Sequence, residues 1–117
     1  MPAYSFKERF VWPIKKGTKK QTIRAKRKHQ IKVGDPVYLY YGMRTKWCIK
    51  IGEGVCTKVQ DVIFMATGFF VDGKLLDGEK NCHAFALADG FVNFDDMFLW
   101  WQENNGLPFK GEIIHWK

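Results

Sequence analysis

The sequence predicts a small α+β domain, mostly β, with one or two short helices. Three observations carry this. Short runs of β-branched and aromatic residues recur along the chain between Gly-rich turns. One segment has a clear helical period. The chain, 117 residues without a linker, a repeat or a low-complexity stretch, makes a single domain over residues 1–117. A sheet of this kind is expected to curve strongly or to close into a barrel, which removes its edges.

The elements are expected in this order. Phe6, Phe10, Trp12 and Ile14 mark a short strand followed by a turn of helix, interrupted by Pro13 and stopped near Gly17. Gly34-Asp35-Pro36 is a turn, because Pro fixes φ and Asp bonds nearby backbone. Val37-Tyr38-Leu39-Tyr40-Tyr41 then reads as a strand ended by Gly42. Trp47 to Ile51 alternates apolar and polar residues, as a half-buried strand does. Gly52-Glu53-Gly54 punctuates it, and Val55 to Phe64 reads as a further strand whose facing switches at a bulge near Asp61. Asp72-Gly73 predicts a tight hairpin. Asp77 to Asn81 reads as a polar loop. The helix lies near Phe94–Glu103, capped by Asn93, with Asp95 and Asp96 at the positive end of its dipole. Met97, Trp100 and Trp101 form its apolar face, so the two tryptophans read as packing residues. Asn104-Asn105-Gly106 and Pro108 end the helix. Ile113-Ile114-His115-Trp116 is the last strand.

Composition bounds the function. Hydrophobic residues make up 46% and aromatics 16%, which excludes a disordered chain. No apolar run is long enough for a membrane span. The start, Met1-Pro2-Ala3-Tyr4-Ser5, lacks the form of a signal peptide, so the cytoplasm is the expected location and no membrane partner is expected. Cys48, Cys56 and Cys82 are an odd set without a CxxC pair and read as reduced thiols. Cys82-His83 has no companion ligands at zinc spacing, so no metal and no cofactor are expected.

The charge is +7 and unevenly spread. Residues 1–58 carry fifteen Lys or Arg against three acids, and residues 59–117 carry four against nine. Nine basic residues and no acid lie between Lys15 and Lys32. Such polarity makes nucleic acid the leading class of partner. The acidic half offers a surface for a basic protein partner. Inside the basic run stands a pattern, Gly17-x-Lys19-x-x-Thr22-Ile23-Arg24, that a merely solvated face does not require. It reads as a loop shaped for an anionic or polar ligand.

This pattern resembles the GxKxxT-hydrophobic-R signature of ASCH domains, in the PUA-like superfamily. Lys32-Val33-Gly34-Asp35, Ala88-Asp89-Gly90-Phe91 and Gly111-x-Ile113-Ile114-x-Trp116 resemble further family motifs in the same order, so the likeness spans nearly the whole chain. Gly42-Met43-Arg44-Thr45-Lys46 is similar to phage and prophage members. The resemblance implies a small PUA-like β-barrel with one or two short helices beside a cleft. It implies RNA-related function, by RNA or nucleotide binding or by hydrolysis. Small bacterial relatives deacetylate N4-acetylcytidine nucleosides with a Lys, a Thr three residues later and a Glu. Lys19 and Thr22 match the first two. Asp89 stands where the Glu is expected. It is one methylene shorter, which moves the carboxylate by more than about 1 Å, and misplacement on that scale can cost ~10²-fold in rate.

Two readings of these residues follow. As a binding site, Gly17, Lys19 and Arg24 with Lys26, Arg27, Lys28 and Arg44 meet a ligand or its phosphates, while Tyr41 and Trp47 stack on bases. As an amidohydrolase, Thr22 attacks the acetyl carbonyl and Lys19, its proton affinity lowered by burial and by Arg24, is the base. Asp89 orients Lys19 or protonates the leaving nitrogen. A third reading, metal-independent RNA cleavage, rests on His29 inside the basic run.

Overall fold

A computed structural model describes residues 3–117, and strands make up most of its regular structure. The chain runs β1 (Ala3–Phe6), a 3₁₀ turn (Glu8–Phe10), α1 (Val11–Lys16), β2 (Gln21–Arg24), β3 (Pro36–Tyr41) and β4 (Ile49–Met65). It continues through β5 (Gly68–Val71), β6 (Lys74–Leu75), α2 (Glu79–Ala88), α3 (Phe94–Asn104) and β7 (Phe109–Trp116).

One long strand organises the sheet. The first part of β4 pairs antiparallel with β3, and its second part pairs with β7 and β5. β1 adds to β3 in parallel, and β2 adds to β7. The sequence splits this strand at Gly52-Glu53-Gly54, but the backbone runs through without a break. Glycine is needed there for proximity, not for a turn. A Cβ on Gly54 would lie 2.8 Å from the Lys117 carbonyl oxygen. The bulge also moves. The register shifts between Cys56 and Lys58, where β4 meets β7, and not near Asp61.

The expected closed barrel does not form. Among the described residues β1 pairs only with β3 and β2 only with β7, so the sheet is open and mixed. Side chains cross the seam where a backbone ladder would have closed it. Arg24 Nη2 donates to the Ser5 carbonyl oxygen at 2.7 Å, and Arg27 Nη2 to that of Ala3 at 3.0 Å. Guanidinium groups thus occupy the acceptors of the free β1 edge.

The core lies between the sheet and α3. Phe64 stacks on Phe69 with centroids 3.9 Å apart, and Trp101 meets Phe64 edge-on at 5.2 Å. Met97 and Trp101 are buried, which is the apolar face that the spacing predicts. Asn93 Oδ1 accepts from the Asp96 N–H at 2.8 Å and caps the helix. The Asp72-Gly73 pair makes the predicted hairpin, both residues having positive φ.

One helix is absent from the sequence reading. Asp77 to Asn81 is only partly a loop, because α2 begins at Glu79. Its apolar face is weak, with Ala86 its one buried residue, and no side chain caps its start. Its end is well signalled. Gly90, at φ 94°, follows the Asp89 cap, and the Phe91 N–H reaches the Ala86 carbonyl at 2.9 Å. Ala88-Asp89-Gly90-Phe91 is therefore a Schellman stop that ends α2.

Candidate functional site

The chain between α1 and β2 dives into the protein. α1 stops at Gly17, whose φ of 89° favours a residue without Cβ. The Gly17, Thr18 and Lys19 N–H groups all return to the Pro13 carbonyl. The Lys20 N–H then takes the Ala88 carbonyl at 2.8 Å, which docks this segment on the end of α2. The predicted loop is thus only half a loop, since Gln21, Thr22, Ile23 and Arg24 form β2.

This path buries a charged pair. Lys19 and Asp89 are each 3% exposed. Lys19 Nζ donates to the Asp89 backbone carbonyl at 2.5 Å and lies 3.4 Å from its Oδ1. A cation at the carboxyl end of a helix is favoured by the dipole. Lys19 Nζ also sits 4.8 Å from the Phe10 ring centroid and 5.5 Å from that of Phe6.

Burial pushes both partners toward neutrality. It lowers the proton affinity of Lys19, with the nearby Arg24 charge adding to the effect, while Asp89 opposes it. Burial raises Asp89 to about 6 against the pull of Lys19, Gln21 and Arg24. The Gln21 amide helps hold that value down, although its buried Nε2 has no hydrogen-bond partner among the described residues.

Thr22 is buried beside them. Its Oγ1 accepts from Arg24 Nε at 3.0 Å, so the hydroxyl is held by the guanidinium and not by the lysine amine. Arg24 lies over the Phe6 ring at 4.9 Å. One fork therefore orients Thr22, crosses the β1–β2 seam and covers an aromatic ring.

These groups line one cavity of about 260 Å³. Lys19, Thr22, Arg24 and Asp89 supply its polar side. Phe6, Phe10, Phe91, Trp100 and Trp101 supply its aromatic side. The aromatic wall is not legible in sequence as a wall. Trp100 and Trp101 pack, as their spacing predicts, but they also face the cavity. Phe91 follows the glycine of the α2 stop, and Phe6 and Phe10 share the period of four that the sequence does show.

The remaining expected residues lie elsewhere. Gly17 is exposed and open around its missing Cβ. Lys26 is exposed and paired with Asp61 at 2.8 Å. Arg27 and Lys28 border a separate depression with Tyr4 and His29. Arg44 sits exposed on the 42–48 loop at φ 69°. Tyr41 and Trp47 line a neighbouring groove, so a ring bound beside Thr22 does not stack on them. That groove shares Ser5, Phe6 and Lys7 with the cavity.

Glu112 is a buried carboxylate that no motif marks. It pairs across from Arg24 in the β2–β7 register and does not line the cavity. Burial raises its proton affinity, opposed mainly by Lys26. No group of three or more Cys, His, Asp or Glu residues at metal-binding distance occurs among the described residues. No helix in the described residues is long and apolar enough to cross a membrane.

No family model, curated protein or solved structure matches the chain.

Proposed function

We propose that this is an ASCH-type protein that binds a nucleotide-like ligand in the cleft between β1, β2 and α3. The observation that carries this is the convergence of a buried Lys19–Asp89 pair, Thr22 and Arg24 on one aromatic cavity. Pockets for small ligands combine apolar walls with a few convergent polar groups in this way. At about 260 Å³ the space suits a single base with part of its sugar. The rings flank a planar heterocycle, and the polar groups meet its edge. The exposed cations of the 15–32 segment draw an anion toward the opening.

Titrating cytidine 5′-monophosphate and following tryptophan fluorescence tests this, because Trp100 lines the cleft. Saturable quenching that weakens in Arg24→Gln supports the reading. A flat titration overturns it.

Hydrolysis of an N4-acylated cytidine is a second reading, favoured by one observation. Lys19, whose proton affinity burial and Arg24 lower, lines the same cavity as Thr22. The amine is bonded to Asp89, so it must leave that partner to take the Thr22 proton. The Thr22 oxygen then bonds the acyl carbon as the C–N4 bond breaks, and the proton taken by Lys19 passes to the leaving N4 amine of cytidine. Water hydrolyses the threonine ester to restore Thr22 and release the carboxylic acid. Incubation with N4-acetylcytidine should yield cytidine, and Thr22→Ala should abolish the yield. No cytidine from the native chain removes this reading and leaves the binding one intact.

A further inference from the structure

The cleft and the groove beside it share a wall, and the residues of that wall face both. The Ser5 carbonyl accepts from Arg24 Nη2 at 2.7 Å on the cleft side, while Ser5 Oγ accepts from the Met43 N–H at 3.3 Å on the groove side. Lys7 lines both spaces. Its Nζ donates to Asn104 Oδ1 at 2.7 Å and lies 5.5 Å from the Trp100 ring centroid. Asn104 is neutral, so the lysine charge is oriented without being cancelled.

The far side of the groove is built to hold an aromatic ring in place. Thr45 Oγ1 donates to the Gly42 carbonyl at 2.6 Å and accepts from the Trp47 N–H at 3.1 Å. The Cys48 N–H returns to the Thr45 carbonyl at 3.3 Å. Gly42 and Arg44 both take φ 69° to make this turn. The loop thus presents the Trp47 indole, 65% exposed, with Lys46 Nζ 5.1 Å from its ring. Tyr41 and Ile49 complete a groove of about 560 Å³.

Aromatic cleft, uncancelled cation and aromatic groove therefore follow one another across a shared wall. This is the order of base, phosphate and base along a single strand. We infer that the ligand is a single-stranded nucleic acid of at least two units. One base enters the cleft, the linking phosphate meets Lys7, and the next base stacks on Trp47 and Tyr41. The inference rests on the nucleotide reading above and narrows its substrate from a free mononucleotide to a strand. RNA and single-stranded DNA share this chemistry.

Calorimetric titration of the full chain with three probes tests it: cytidine 5′-monophosphate, the dinucleotide cytidylyl-uridine and its deoxyribose counterpart. A dinucleotide should bind about tenfold or more tightly than the mononucleotide, the gain of one stacked base. Trp47→Ala, a change at an exposed position, should bring that ratio close to one. Lys7→Gln should lower the salt slope of dinucleotide binding by about 0.7, one phosphate's share for a single strand. A gain for the ribose form alone would assign RNA, and an equal gain would assign either strand. Equal affinity for mono- and dinucleotides overturns this inference alone. So does a dinucleotide gain that survives Trp47→Ala. Failure of all three probes to bind overturns the nucleotide reading and this inference with it.

Discussion

Residues 19–24 and 26–28 belong to one basic run and end in opposite environments. Lys19 is buried with its charge held against Asp89, and Arg24 spans a seam between two strands. Lys26 stands in solvent and meets an exposed Asp61. The sequence shows the same residue types in both. The difference is made by the backbone, which binds Lys20 to the end of α2 and carries β2 along β7. Charge density thus locates a surface, whereas the fold decides which cations are removed from water. Burial lowers the proton affinity of Lys19 and fixes its geometry, as a site requires, whereas that of the exposed Lys26 is raised by its Asp61 partner.

The largest effect expected from this contrast is thermodynamic. Asp89→Ala leaves Lys19 buried without its partner and should cost about 3–5 kcal/mol. Urea denaturation checks it. The double change Lys19→Met with Asp89→Leu should be less damaging than the single one, since an apolar pair needs no desolvated charge. A single variant as stable as the native chain would contradict a buried Lys19 that depends on Asp89 for compensation.

The second effect depends on pH. Asp89 holds its proton more tightly when folded, at about 6 against an ordinary 3.8. The folded state therefore binds more protons within that window, and stability falls as pH rises through it. The contribution is fully present below 3.8 and lost above about 6, on the order of 3 kcal/mol in size. Lys19 works in the opposite sense at high pH, where its lowered affinity makes stability rise with pH. Denaturation midpoints from about pH 3.5 to pH 7 should show the native chain losing stability relative to Asp89→Asn. Parallel curves would contradict the assignment.

A third effect comes from Gly90. Its φ of 94° excludes most side chains, and an added Cβ would lie 2.8 Å from Lys19 Cδ. Gly90→Ala should cost about 1–3 kcal/mol and displace the lysine stem. Reduced ligand affinity together with a lowered melting temperature checks both consequences. The smallest effect belongs to the exposed flank. Replacing Lys26, Arg27 and Lys28 by Ala should leave the denaturation midpoint almost unchanged. Affinity for a longer single strand should fall, with the salt slope reduced by about 0.7 for each phosphate that is no longer neutralised.

Much of the fold is legible in the sequence because local signals and burial agree. Asn93 with Asp95 and Asp96 marks α3, the Asp72-Gly73 hairpin needs two positive φ values, and Val37 to Tyr41 has no residue that resists a strand. α2 is hidden because a helix that buries little but Ala86 has no apolar stripe to reveal it. β4 reads as two strands because Gly54 serves close approach to the Lys117 carbonyl, which looks like turn chemistry in one dimension. The open seam is hidden because arginine side chains, not backbone groups, bridge β1 and β2.

The candidate site is legible in its polar half alone. Lys19, Thr22 and Arg24 share a spaced pattern and Asp89 sits in a distinct motif, so each can be singled out. The aromatic wall gathers Phe6, Phe10, Phe91 and Trp100 from four places, and only tertiary packing brings them together. Tyr41 and Trp47 read with the cleft because aromatic character is all that a sequence shows of them. The shared wall of Ser5, Phe6 and Lys7 separates them from it.

The central claim is that the ligand goes to the buried cleft and not to the exposed basic flank. Amide and indole NMR shifts, followed while cytidine 5′-monophosphate is added to the native chain, test this directly. Binding in the cleft predicts saturable changes at Lys19, Thr22, Arg24, Phe91 and the Trp100 indole, with Lys26 to Lys28 little affected. Changes confined to Lys26, Arg27 and Lys28, or none at all, would contradict it.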